Sequence, residues 1–109
     1  MNENAIMVLT SVADRADAER IAASLVARRL AACVKLSGPV ESTYRWKGRI
    51  ESALEWQCTI KTLSDRYDAV VDAIRQLHSY EEPEILAVPI AAGSDSYLNW
   101  IAESVRSEP

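Results

Sequence analysis

Hydrophobic and polar positions along this chain change period several times, and each change marks an element boundary. Ala5 to Leu9 (Ala-Ile-Met-Val-Leu) is an unbroken apolar run of strand length, the pattern of a strand covered on both faces. Thr10, Ser11 and Asp14 follow with side-chain oxygens suited to opening a helix. From Asp14 to Leu30, apolar residues recur at Ala18, Ile21, Ala22, Leu25, Val26 and Leu30, which is helical spacing with one apolar stripe. Ala32 to Arg45 then reads as a long strand interrupted at Gly38-Pro39, where a bend or bulge is expected because proline has no N–H to give to the ladder.

Lys47-Gly48 reads as a turn. The return strand alternates Ile50, Ser52, Leu54, Trp56, Cys58 and Ile60 against Arg49, Glu51, Ala53, Glu55, Gln57, Thr59 and Lys61. Ser64 is placed to cap the next helix, whose apolar stripe is Tyr67, Val70, Val71, Ile74 and Leu77. Pro83 stops that helix from continuing. Ile85 to Val88 is a final apolar strand, and Gly93, Ser94 and Asp95 open a short terminal helix carrying Tyr97, Leu98, Trp100, Ile101 and Val105. The order is β-α-β-β-α-β with a helical tail, the split βαβ arrangement. It predicts an α+β, ferredoxin-like fold in one domain spanning 1–109, with right-handed crossovers and both main helices on one face of an antiparallel sheet. The hairpin arms are much longer than ordinary strands and overhang so small a domain. Such arms, with aromatic residues near the tip, suit pairing with another subunit.

Composition narrows the function. With 109 residues, 49% of them hydrophobic, the chain can bury a proper core. A net charge of −4 argues against nucleic acid as a partner, since phosphate recognition needs a basic face; Arg15, Arg20, Arg28 and Arg29 alternate with acids and alanines as a solvated helix face does. No apolar run approaches the roughly 20 residues a spanning helix needs, so no membrane is expected. The N-terminal Met-Asn-Glu-Asn has no leader pattern, which points to the cytoplasm and to Cys33 and Cys58 as reduced, buried core residues.

The densest chemistry lies in Leu77-His-Ser-Tyr-Glu-Glu-Pro-Glu-Ile, at a helix-to-strand crossing. His78, the only histidine, can ligate copper or zinc, or can be a hydrogen-bonded residue at a helix end. Glu81, Glu82 and Glu84 bring hard oxygen donors, with a solvated or ion-paired role as the alternative; Lys61 is a pairing candidate for Glu84. Tyr44, Trp46, Lys61, Tyr80 and Trp100 are candidates for lining a cleft, although aromatic residues at these spacings also serve as packing or subunit interface. No nucleophile elbow, phosphate loop, dinucleotide glycine motif, Cys-x-x-Cys or His-Glu-x-x-His is present, so no catalytic residue is assigned.

Leu30-Ala-Ala-Cys-Val-Lys-Leu, Tyr44-Arg-Trp-Lys-Gly-Arg-Ile-Glu, Ile60-Lys-Thr, Leu77-His-Ser-Tyr-Glu-Glu-Pro-Glu-Ile and Tyr97-Leu-Asn-Trp-Ile, in this order and spacing, resemble the CutA family of divalent-ion tolerance proteins. The resemblance covers nearly the whole chain. It implies a ferredoxin-like homotrimer built through the long strands, linked to tolerance of copper and other divalent cations, with no established reaction. It further implies copper or another divalent cation as a ligand, with no cofactor required for folding; the donor chemistry of the loop itself puts that ion on His78, Glu81 and Glu84. Thr10 and Leu77 stand where some copper-linked members of that family carry a cysteine and a second histidine. Two rival readings share the architecture: a PII-like trimeric signalling protein binding small ligands between subunits, and an acid–base enzyme using His78 and Glu81.

Overall fold

The computed structural model describes residues 4–106; Met1, Asn2 and Glu3, read above for a leader, lie outside them. Seven elements follow one another: β1 (Ala5–Val12), α1 (Arg15–Ala27), β2 (Cys33–Trp46), β3 (Arg49–Leu63), α2 (Tyr67–Leu77), β4 (Leu86–Pro89) and α3 (Asp95–Val105). The strands make one antiparallel sheet in the order β2-β3-β1-β4. This is the ferredoxin-like βαββαβ arrangement with a long hairpin and a C-terminal helix.

The two faces of the sheet are covered differently, and the alternation of β1 shows how. Ile6, Val8 and Val12 face α1 and α2, where Ile21, Leu25, Val70 and Ile74 meet Cys58 and Ile60 in the main core. Ala5 points the other way and joins Leu63 and Ala32 beneath Ile101, Ala102 and Val105 of α3. An apolar run without alternation is therefore what β1 needs. The cover on the second face is partial. Met7 and Leu9 lie beside the α3 patch only half-buried, and their cross-strand partners Val88 and Leu86 are 38% and 54% exposed.

Several local expectations are corrected. Thr10 and Ser11 extend β1 rather than opening α1; Asp14 alone caps that helix, accepting from the N–H of Asp17 at 3.0 Å. Helix α1 stops at Ala27, before Leu30, because Arg29 takes a left-handed conformation (φ 57°) and turns the N–H groups of Leu30 and Ala31 back onto the carbonyl of Leu25. Ser64 begins a short 3-10 turn that leads into α2 and makes no side-chain cap. Cys58 is buried, and burial pushes its thiol up to about 11, but Cys33 is only half-buried; both are free thiols.

The hairpin behaves as the pattern predicts. Lys47 (φ 50°) and Gly48 (φ 76°) make the two-residue turn between the paired Trp46 and Arg49, both in the left-handed region that matches strand twist. The register slips between Ser37 and Val40, at Gly38-Pro39. Trp56 sits opposite this bulge, packs against the main core and lies under the Arg15 guanidinium at 5.1 Å. No helix among the described residues is long and apolar enough to cross a membrane.

Thr10 carries a testable cost. It is 1% exposed, and its hydroxyl has no hydrogen-bond partner within the protein. A buried hydroxyl without a partner destabilises by roughly 1–3 kcal/mol. Thr10→Val keeps the branched shape and removes the unpaired oxygen. It is expected to stabilise the fold by about 1 kcal/mol, read as a higher urea midpoint at unchanged slope; an unchanged or lower midpoint would show that the hydroxyl is satisfied.

Candidate functional site

Helix α2 ends at Leu77, with His78 as the capping residue five positions before Pro83. His78 still donates its N–H to the carbonyl of Ile74 (2.8 Å), but its ψ of 140° is extended and the chain leaves the helix there. Its ring explains the exit. Nε2 lies 2.7 Å from the carbonyl oxygen of Ser11, which can only accept, so Nε2 carries the proton. Nδ1 accepts the N–H of Tyr80 at 3.1 Å. One imidazole thus ties the end of β1 to the loop between α2 and β4. Pro83 is buried in that loop, where it shapes the later turn instead of stopping the helix.

Tyr80 continues the chain of contacts. Its ring tilts against the His78 ring with centroids 4.9 Å apart. Its hydroxyl donates to Glu55 Oε2 at 2.8 Å, while Ser42 donates to Glu55 Oε1 at 2.7 Å. Glu55 is only 8% exposed, so this buried carboxylate depends on both donors. Burial, and then the Glu55 carboxylate that accepts its hydrogen bond, push the Tyr80 phenol above its ordinary range. Tyr80 therefore remains a protonated donor at physiological pH.

These contacts form one wall of a groove of ≈ 850 Å³ between the hairpin and the loop. The hairpin contributes Ser42, Tyr44, Trp46, Glu51 and Glu55; the loop contributes Tyr80, Glu81, Glu82, Pro83 and Glu84. Of the residues singled out from sequence, Tyr44, Trp46, Tyr80, Glu81 and Glu84 come together here. His78 does not line the groove; it holds the wall from behind through Tyr80 and Ser11.

Lys61 and Trp100 lie elsewhere. Lys61 is over the Tyr97 ring at 5.9 Å, and Trp100 packs on the same ring at 5.4 Å. The reason is strand alternation together with α3, which puts Tyr97 beside β3 and away from the loop. The expected Lys61–Glu84 pair is thus replaced by a cation–ring contact. The sequence pattern does not single out Glu55, Ser42 or Lys47. Ser42 shares the Tyr44 and Trp46 face in the alternation pattern, but nothing in the pattern brings Glu55 to Tyr80.

The groove can attract cations, yet it does not form a histidine-centred metal cage. Among the described residues, no group of three or more His, Cys, Asp and Glu side chains is placed to hold a metal ion. Both nitrogens of His78 are committed, one donating and one accepting, so a metal at either would have to displace a hydrogen bond. The donors left are carboxylate oxygens. Glu81 approaches Lys47, with Nζ 3.9 Å from Oε1, and both side chains are largely exposed.

Comparison with known proteins agrees with this architecture. Residues 6–104 match the family described as CutA1 divalent ion tolerance protein. The divalent-cation tolerance protein CutA of Pectobacterium atrosepticum is 38% identical over 94% of this chain and 94% of its own length. The crystal structure of CutA from Xylella fastidiosa superposes with a TM-score of 0.92 at 37% identity, covering 94% of this chain and 99% of that one. CutA1 from Oryza sativa gives a TM-score of 0.93 at 33% identity, covering 98% of both chains.

Proposed function

This chain belongs to the CutA1 divalent ion tolerance family, and on that premise we propose that it acts as a homotrimer whose hairpin groove gathers divalent cations through carboxylates. The observation that carries this reading is the convergence of Glu51, Glu81, Glu82 and Glu84 on one open groove in a chain of net charge −4. Clustered carboxylates give a negative potential that concentrates cations, and their oxygens bind divalent ions weakly when no cage is built. Copper(II) is one such ion, with magnesium and manganese as harder alternatives. His78 serves as the positioning residue that keeps Tyr80 and the following glutamates against the hairpin.

Support for assembly comes from two places. The apolar sheet face beside α3 is exposed in a single chain, and the hairpin carries Ile50 and Leu54 at 69% and 63% exposure. Exposed apolar surface of this kind is the signature of an interface.

Calorimetric titration of copper(II), manganese and magnesium into three proteins tests the cation reading. Glu81→Gln/Glu84→Gln is expected to lose most binding of every ion, by about tenfold or more, with the assembly intact. His78→Ala is expected to weaken all ions alike, through a loosened loop. A variant that loses copper alone would make His78 a ligand and overturn the carboxylate reading.

A further inference from the structure

We propose that the same groove has a second specificity, for the ammonium groups of a linear polyamine, set by its aromatic rings rather than by its carboxylates alone. Three rings, those of Tyr44, Trp46 and Tyr80, line the groove together with the glutamates. A strongly hydrated divalent ion gains little from a ring face, whereas an alkylammonium gains both the cation–π attraction and cover for its methylenes.

The chain itself displays this chemistry at the hairpin tip. Lys47 Nζ is 5.5 Å from the centre of the Trp46 ring and 3.9 Å from Glu81 Oε1, so an exposed alkylammonium already rests beside one ring and one carboxylate of the groove. That lysine is the first residue of the tight turn, held at φ 50°, and its side chain is 69% exposed. It is a tethered, solvent-facing occupant, with nothing burying it in place. An incoming alkylammonium with the same spacing of methylene and charge can displace it. Glu51, Glu82 and Glu84 lie along the same groove for the further ammonium groups of a linear chain. A monovalent amine would leave those carboxylates unmatched; a polyamine matches several at once. Tyr80 is fixed as a wall by its bonds to His78 and Glu55, which pre-organises the opposite side.

This inference shares the groove with the cation reading but does not depend on it, and magnesium separates the two. Spermidine, its N1,N8-diacetyl derivative and magnesium are titrated at low salt into the intact protein and into Lys47→Met and Trp46→Leu variants. The wild type is expected to bind spermidine and to bind the diacetyl derivative far more weakly. Lys47→Met removes the resident competitor and is expected to bind spermidine about three- to tenfold more tightly. Trp46→Leu is expected to bind spermidine about five- to tenfold more weakly, with a much smaller change in its magnesium affinity. Tyr44→Leu repeats the test should the tryptophan variant misfold. Equal loss of spermidine and magnesium in the ring variants would reduce the site to plain electrostatics and overturn the proposal. Spermidine binding by Lys47→Met no tighter than by the wild type would overturn it as well.

Discussion

Leu86→Glu combined with Val88→Glu is expected to convert the proposed trimer into folded single chains. Both residues lie on the short edge strand β4, paired with Leu9 and Met7, on the sheet face that α3 leaves open. In one protomer they are substantially solvent-exposed, so two carboxylates there disturb little inside the chain. If the same face is covered by neighbouring subunits, each protomer buries two unpaired charges. Uncompensated burial of a charge costs at least several kcal/mol, and a closed trimer repeats that cost at every interface. Sedimentation equilibrium at micromolar concentration reads the result. The expected outcome is three chains for the wild type and one for the variant, with unchanged far-ultraviolet circular dichroism. A variant that stays trimeric would place the interface on the hairpin alone, and a monomeric wild type would end the assembly proposal.

Gly38→Ala is expected to destabilise the protomer by about 2–4 kcal/mol. Gly38 has φ +155°, where side chains are rarely tolerated, and a Cβ there would meet the carbonyl oxygen of Glu55 at 3.0 Å and two ring atoms of Trp56 at 3.0 Å. Neither contact can swing away, since one is backbone and the other is a ring packed on the core and held by Arg15. Relief would require β2 to lift from β3 at the bulge. That movement would also loosen the Ser42–Glu55–Tyr80 network beyond it, because Val40 pairs with Glu55 and Ser42 with Ala53. Urea denaturation monitored by tryptophan fluorescence measures the loss, and a midpoint within error of wild type would show that the bulge can relax. Gly48→Ala is the contrasting case. Its added Cβ meets nothing within 4 Å, so only the backbone conformation, φ +76°, is strained and the loss is expected to be about 1 kcal/mol.

Half of the candidate site was legible in the sequence. Tyr44 and Trp46 fall on one face of a regular strand, and Tyr80, Glu81 and Glu84 crowd a loop after a helix, so their meeting follows from two adjacent elements. His78 was legible as a special residue but not in its role. A lone histidine before three glutamates suggests ligation, whereas the carbonyl that engages it belongs to Ser11, 67 residues away in the chain. Glu55 was invisible for a similar reason. On an alternating strand it reads as one more solvent-facing carboxylate, and only the loop folding back over the sheet buries it.

Periodicity alone determined the order of elements, the hairpin turn at Lys47-Gly48, the bulge at Gly38-Pro39 and the pairing of two helices with one sheet face. These follow from local rules: alternation fixes strand faces, an apolar stripe fixes a helix face, and glycine or proline interrupts both. The tertiary structure decided where elements stop and what their polar side chains do. Arg29 ends α1 by turning left-handed; Thr10 and Ser11 join a strand because β3 offers Cys58 and Gln57 as partners; α3 carries Tyr97 to Lys61 and so removes Lys61 and Trp100 from the groove. Each of these outcomes depends on hydrogen-bond and contact partners distant in the chain, and a one-dimensional pattern records a residue's polarity without recording which distant group will satisfy it.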